Sequence, residues 1–253
     1  MTQPSRPPFR AALSNRMMQM TLGALALLAV GGTALALQAG SVPVGDKAAI
    51  EKIVHDYILE HPEIIPQAIE KLQAKRLSGT IQENRKAIET PYAGAWEGAP
   101  DSDVTLVEFF DYACGYCRAS LPDLAKLVSE DRKLKIVYRE LPILSDESSD
   151  AAKVSLLAAE KGRYMAYHKA LYAAGHVTRD SILAAAAEAG IGKAEAEAAM
   201  ASSKYDAEIQ SNIALAQKLQ ANGTPTFVVG DQVLNGAVGY QALKDGVAAV
   251  RGK

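Results

Sequence analysis

Both cysteines of the chain lie in one short stretch, Val107-Glu108-Phe109-Phe110-Asp111-Tyr112-Ala113-Cys114-Gly115-Tyr116-Cys117, with C-x-x-C spacing. A thiolate, not a thiol, is the reactive species, and it forms readily where backbone N–H groups and a helix dipole favour an anion. Such a site lowers a cysteine pKa from about 8.5 to roughly 3.5–7.5. Cys114 is therefore the candidate nucleophile. Cys117 sits one helical turn further on and on the same face. From there it can attack a mixed disulfide at Cys114 and release the partner thiol.

The flanking sequence supplies the helix mouth this chemistry needs. Val104 to Phe110 is an apolar run that reads as a buried strand, and a helix from about Cys114 to Glu130 follows, with Pro122 inside it. Other roles for the pair fit less well. A structural zinc site usually takes four ligands; this chain has no further cysteine, and its histidines (His55, His61, His168, His176) are scattered. As a staple, so short a loop removes little chain entropy. No metal site and no cofactor are expected.

The amino end reads as an export signal. Arg6, Arg10 and Arg16 precede a charge-free run from Met17 to Gly45, and Ala34-Leu35-Ala36 offers a small-x-small cleavage site. Residues 1–39 are read as a signal peptide, with an uncleaved membrane anchor as the alternative; either exports the rest of the chain to the periplasm or extracytoplasmic envelope. With 49% hydrophobic residues the chain can build a sizeable core, and a formal net charge of −2 gives no nucleic-acid surface. Disulfides persist outside the cytosol, so two cysteines alone in an exported chain this long point to catalysis.

Beyond a short linker (residues 41–45), Asp46 to Glu60 is an amphipathic helix with Ile50, Ile53, Val54, Tyr57 and Ile58 on one face. Pro62 opens a second helix whose stripe is Ile65, Ala68, Ile69 and Leu72, with Ser78-Gly79 as a possible break before Thr90. These helices cannot bury both stripes alone. They pack either on the body of the chain or on the same segment of another subunit, as a homodimer or homotrimer through residues 46–90.

Pro91 to Asp103 reads as a boundary, with Trp96 as a packing anchor. Leu134 to Tyr138 is a second strand, giving a parallel strand–helix–strand unit. Ser145 to Gln220 is a helical block in which His168 and His176 receive no role, and Tyr164, Tyr167 and Tyr172 are core or groove-lining. After Asn222-Gly223, the runs Thr224 to Val229 and Gln232 to Leu234 read as a hairpin around Gly230-Asp231, and Tyr240 to Val250 is a closing helix.

This order, with Cys-Gly-Tyr-Cys and with Thr224-Pro225 ahead of the hairpin, resembles the DsbA-like family of exported thiol–disulfide oxidoreductases over residues 99–250. The resemblance implies an α/β, thioredoxin-like fold with an inserted helical domain at about 145–220, preceded by a helical arm. It further implies a cis Thr224–Pro225 bond that docks the substrate backbone beside Cys114. Gly115 and Tyr116 would tune the redox potential, and Glu108 would be a buried acid handling the Cys117 proton. A salt bridge is the alternative account of Glu108, and Asp111 is taken as a turn residue.

The arm is similar to that of the suppressor-of-copper-sensitivity C branch. The active-site dipeptide resembles DsbC-type isomerases, from which the chain departs in its helical insert and helical arm. The expected activity is isomerase or reductase chemistry on exported client proteins with a membrane redox partner. A DsbA-type dithiol oxidase is one alternative, and a Cu(I)-binding protein using both thiolates is another.

Overall fold

The computed structural model describes residues 47–252, so the export-signal reading of residues 1–39 and the linker at 41–45 lie outside the described residues. The chain divides into two compact units at Pro66 and Gln67. In the first, α1 spans Lys47–Glu60 and α2 (Ile64–Glu89) begins. Pro62 lies in the turn before α2, not inside it. Within α1, Ile50, Ile53, Val54, Tyr57 and Leu59 are exposed.

The remainder of α2 belongs to the second unit. It runs through Ser78-Gly79 without the break the sequence suggested. A helical glycine costs about 1 kcal/mol, and two features offset it. Ile81 and Ile88 are fully buried against the sheet. Arg139 also caps the helix end, where carbonyls lack intrahelical partners. Its guanidinium donates to the carbonyls of Ala87, Ile88 (3.0 Å) and Thr90 (2.5 Å), and to Asn212 Oδ1 at 2.8 Å.

The sheet contains β1 (Trp96–Gly98), β2 (Val104–Phe110), β3 (Leu134–Glu140), β4 (Thr226–Val229) and β5 (Gln232–Asn235), in the order β1-β3-β2-β4-β5. β2 and β3 are parallel, as the strand–helix–strand reading required, and register Glu108 against Tyr138. β4 runs antiparallel to β2 with Phe227 opposite Glu108. The short edge strand β1 falls in the stretch read as a plain boundary; Trp96 packs there against the core, as anticipated. Three residues with no alternation give too little sequence signal for a strand.

Both faces of the sheet are covered, which is why β2 reads as a continuous apolar run. Leu106, Phe110, Leu134, Ile136 and Tyr138 face one core; Val107, Phe109 and Val137 face the other. The first core is closed by α3 (Gly115–Glu130), by four helices of the insertion, α4 (Asp146–Glu160), α5 (Tyr164–Ala173), α6 (Arg179–Glu188) and α7 (Lys193–Ala201), and by α9 (Gly239–Arg251). The second is closed by α2 and α8 (Asp206–Lys218). Strand alternation turns Glu108, between Leu106 and Phe110, into the first core.

Candidate active site

β2 delivers the chain to the mouth of α3, where Cys114 is the N-cap residue in extended conformation (φ −81°, ψ 112°). Its sulfur accepts from the Cys117 N–H at 3.1 Å, taking up one of the helix's unpaired donors. Its thiol donates to the Thr224 carbonyl at 3.2 Å. That bond sets the loop before β4 against the nucleophile, and the Thr224–Pro225 peptide bond in this loop is cis. The two cysteines are free thiols.

The two sulfurs are driven apart in acidity. The Cys117 thiol beside it lowers the Cys114 pKa from 9.0 to about 6, against the effect of burial; the Thr224 side chain and the N–H groups of Cys117 and Tyr116 act in the same direction as Cys117. Cys117 is 0% exposed, and burial pushes its pKa far up, with Cys114 and Glu108 adding to the rise. The arrangement therefore presents one thiolate nucleophile and one protected thiol.

Glu108 is 1% exposed, and Oε1 finds no hydrogen-bond partner among the described residues. Burial raises its pKa well above 4.5, with Cys114 and Glu97 adding like charge. No ion pair among the described residues includes Glu108, so the salt-bridge account of this acid has no partner to rest on.

Gly115 is spatially undemanding: an added Cβ would meet only Arg118 Nη2, at 4.0 Å. Tyr116 is 72% exposed beside the nucleophile. A cleft of about 250 Å³ lies at the cis-proline loop, lined by Asn222, Thr224, Pro225, Thr226 and Asn235. A larger cavity, about 320 Å³, lies at the C-terminal end of α3 against α9 and contains none of the candidate residues.

Asp111 carries more than a turn. Oδ1 accepts from the Ala113 N–H (2.8 Å) and Ser148 Oγ (2.6 Å), and Oδ2 accepts from the N–H groups of Ile143 (2.8 Å) and Leu144 (2.9 Å). It thereby ties the cysteine loop to the loop after β3. Tyr172 Oη donates to the Asp111 carbonyl at 3.0 Å, and Tyr112 Oη bonds both Ser155 Oγ (2.8 Å) and His168 Nδ1 (3.1 Å). His168, left without a role by the sequence, is fully buried among aromatic rings, and burial drops its pKa to about 3. The helical insertion thus supports the cysteine loop from behind. The sequence signal for Asp111 was only its position after β2; nothing marked Ser148, Ser155 or His168.

A sheet of this order, with a C-x-x-C pair at a helix mouth facing a cis-proline loop, defines the thioredoxin-like thiol–disulfide oxidoreductase class. The chain belongs to the DSBA-like thioredoxin domain family, which it matches over residues 105–248. Residues 46–76 match the copper resistance protein ScsC N-terminal domain.

Among solved structures, a thioredoxin-like oxidoreductase from Silicibacter pomeroyi is 39% identical, covering 67% of this chain and 99% of that one with a TM-score of 0.62. The catalytic domain of Proteus mirabilis ScsC is 26% identical, covering 70% and 99% with a TM-score of 0.64. A periplasmic thioredoxin-like protein from Salmonella enterica is 27% identical, covering 67% and 96% with a TM-score of 0.60. The chain spans about a quarter of the length of the curated relatives it matches, such as a Na(+)/H(+) antiporter NhaA 1 from Salinispora arenicola, 24% identical over 155 residues and 24% of that protein.

Proposed function

We propose that this protein is an exported thiol–disulfide oxidoreductase acting on protein disulfides as an isomerase or reductase. The observation that carries it is the split acidity of Cys114 and Cys117 at one helix mouth. The Cys114 thiolate attacks a client disulfide. One client sulfur leaves as a thiolate, and a mixed disulfide forms. Cys117 then attacks Cys114, the Cys114–Cys117 bond forms, and the second client sulfur leaves; a membrane redox partner returns the pair to dithiol. Glu108 takes the Cys117 proton in that second step. Thr224-Pro225 docks the client backbone, and Gly115 and Tyr116 set the potential.

Residues 46–90 are the arm in this reading, ahead of a catalytic domain at 99–250. Exposed Ile50, Ile53, Val54, Tyr57, Ile65, Ile69 and Leu72 support pairing with further copies of the arm. The signal-like amino end and the periplasmic description of the Salmonella relative support export.

The test is the reduction potential of Cys114–Cys117 against glutathione, with mass by light scattering, on protein lacking residues 1–39. Potentials in such folds span about −270 to −120 mV. A reducing potential on a dimer or trimer supports isomerase or reductase chemistry. A strongly oxidising potential on a monomer replaces it with a DsbA-type dithiol oxidase.

A second reading, Cu(I) held by both thiolates, is favoured by the copper-resistance description of the segment matching residues 46–76. The burial that keeps Cys117 protonated opposes it. Tight copper binding without disulfide exchange would establish it.

A further inference from the structure

Cys117 and Glu108 are both sealed from water, so a proton passed between them still needs a way out. The sheet offers one. Tyr138 is the direct β3 partner of Glu108, and both side chains face the same core. The Tyr138 hydroxyl donates to Glu97 Oε1 at 2.5 Å, a charge-assisted bond. Glu97 stands on the edge strand β1 and is half-buried, in reach of solvent. A phenol that donates to Glu97 keeps its lone pairs for a donor on its other side. On that side runs β2, where Glu108 Oε1 has no hydrogen-bond partner among the described residues.

We propose that Tyr138 and Glu97 form the exit by which the Cys117 proton, once on Glu108, reaches solvent. The proposal rests on the reading of Glu108 given above. When Cys117 resolves the mixed disulfide, its S–H proton goes to the Glu108 carboxylate. The Cys117 sulfur bonds to Cys114, and the Cys114–client bond breaks with its electron pair on the client sulfur. Glu108 then passes a proton to Tyr138 Oη through one bridging water, as Tyr138 gives its own to Glu97. Glu97 releases it to bulk water. In the reductive direction the same chain carries a proton inward.

The surroundings fit a neutral relay. Burial, with Glu97 and Glu108 adding, holds the Tyr138 pKa well above 10.0, so it shuttles protons without ionising. The groups that act on Glu108 are acids, thiols and phenols: Cys114 and Cys117 at the mouth of α3, Glu97 from β1, Tyr138 and Glu140 from β3, and Tyr172 from α5. β4 sets only Phe227 against it. Tyr138 and Glu97 are positioning residues here, acting on Cys117 only through Glu108.

The test uses the reduced protein with oxidised glutathione at several concentrations. Cys114 attack is then the second-order phase, and release of glutathione by Cys117 the first-order phase. Tyr138→Phe and Glu97→Gln should each slow the first-order phase about tenfold, a fraction of a general acid–base contribution. They should shift its pH profile and enlarge its solvent isotope effect, leaving the second-order phase intact. Glu97→Asp should recover part of the rate. If Tyr138→Phe resolves at the wild-type rate while Glu108→Gln is slow, the exit is wrong and the role of Glu108 stands. If Tyr138→Phe, Glu97→Gln and Glu108→Gln all resolve normally, both fail. A loss shared equally by both phases would mark a packing role and overturn the proposal.

Discussion

Replacing Cys117 with Ala tests how the structure divides acidity between the two sulfurs. The Cys114 pKa of about 6 lies 3 units below its ordinary 9.0, and each unit is worth about 1.4 kcal/mol. The sign follows from the direction. A depressed acid stabilises the folded dithiol fully above pH 9.0, and that contribution is lost as pH falls through 6. At pH 7 only one unit is realised, about 1.4 kcal/mol, which raises the two-electron potential by about 30 mV.

Speed gains less than stability. About 90% of Cys114 is thiolate at pH 7, some 90-fold more than for an unshifted thiol, yet a Brønsted slope near 0.5 returns about 30-fold through weaker nucleophilicity. The net is roughly threefold in attack, and the larger benefit is to Cys114 as a leaving group. Cys117→Ala removes the first cause of the shift but leaves Thr224 and the two N–H groups, so the midpoint should rise above 6 and stay below 9.0. Ultraviolet thiolate absorbance and iodoacetamide alkylation against pH measure it. A wild-type midpoint at the free-thiol value of about 8.5, or no movement in the variant, would refute the argument.

Asp111→Ala strands the part-buried N–H donors of Ile143, Leu144 and Ala113 and the buried Ser148 hydroxyl, and should cost about 3 kcal/mol in denaturant melts; Asp111→Asn should fall between. His168 is held near pKa 3 against an ordinary 6.5, so its contribution is full above 6.5 and is lost as pH falls towards 3. Removing it in His168→Phe should flatten the acid limb by about 5 kcal/mol at most; Glu108 and Glu140, raised in pKa, act with the opposite sign in both proteins and cancel in the difference. An unchanged slope in the variant would contradict the burial account. On the arm, Ile53→Asp with Ile69→Asp should halve or third the mass seen by light scattering while leaving the glutathione potential unchanged; an unaltered mass would remove the arm-pairing reading.

The elements that carry the chemistry were legible because they are local. An apolar run ending in C-x-x-C before a helical pattern specifies a strand, a helix mouth and a nucleophile within one stretch of chain, and the hairpin after Thr224-Pro225 is written in its Gly230-Asp231 turn. Helix ends and turns depend on neighbouring residues, so a sequence read alone can locate them. The continuity of α2 could not be read that way. Gly79 argues for a break locally, and what overrides it is Arg139, 60 positions further along the chain, together with burial of Ile81 and Ile88.

The same division holds inside the site. Helical spacing puts Cys114 and Cys117 together, because residues three apart on a helix are neighbours, and the family resemblance adds Glu108. Only the tertiary structure joins Asp111 to Ser148, Tyr112 to His168 and Tyr138 to Glu97. Those bonds link segments brought together by the insertion and by β1, and a hydrogen bond between distant segments leaves no periodicity in the chain. The sequence by itself determined the reactive group and its helix; the packing of the sheet and insertion decided which buried acids and phenols surround it, since burial and distance, not order, set their proton affinities.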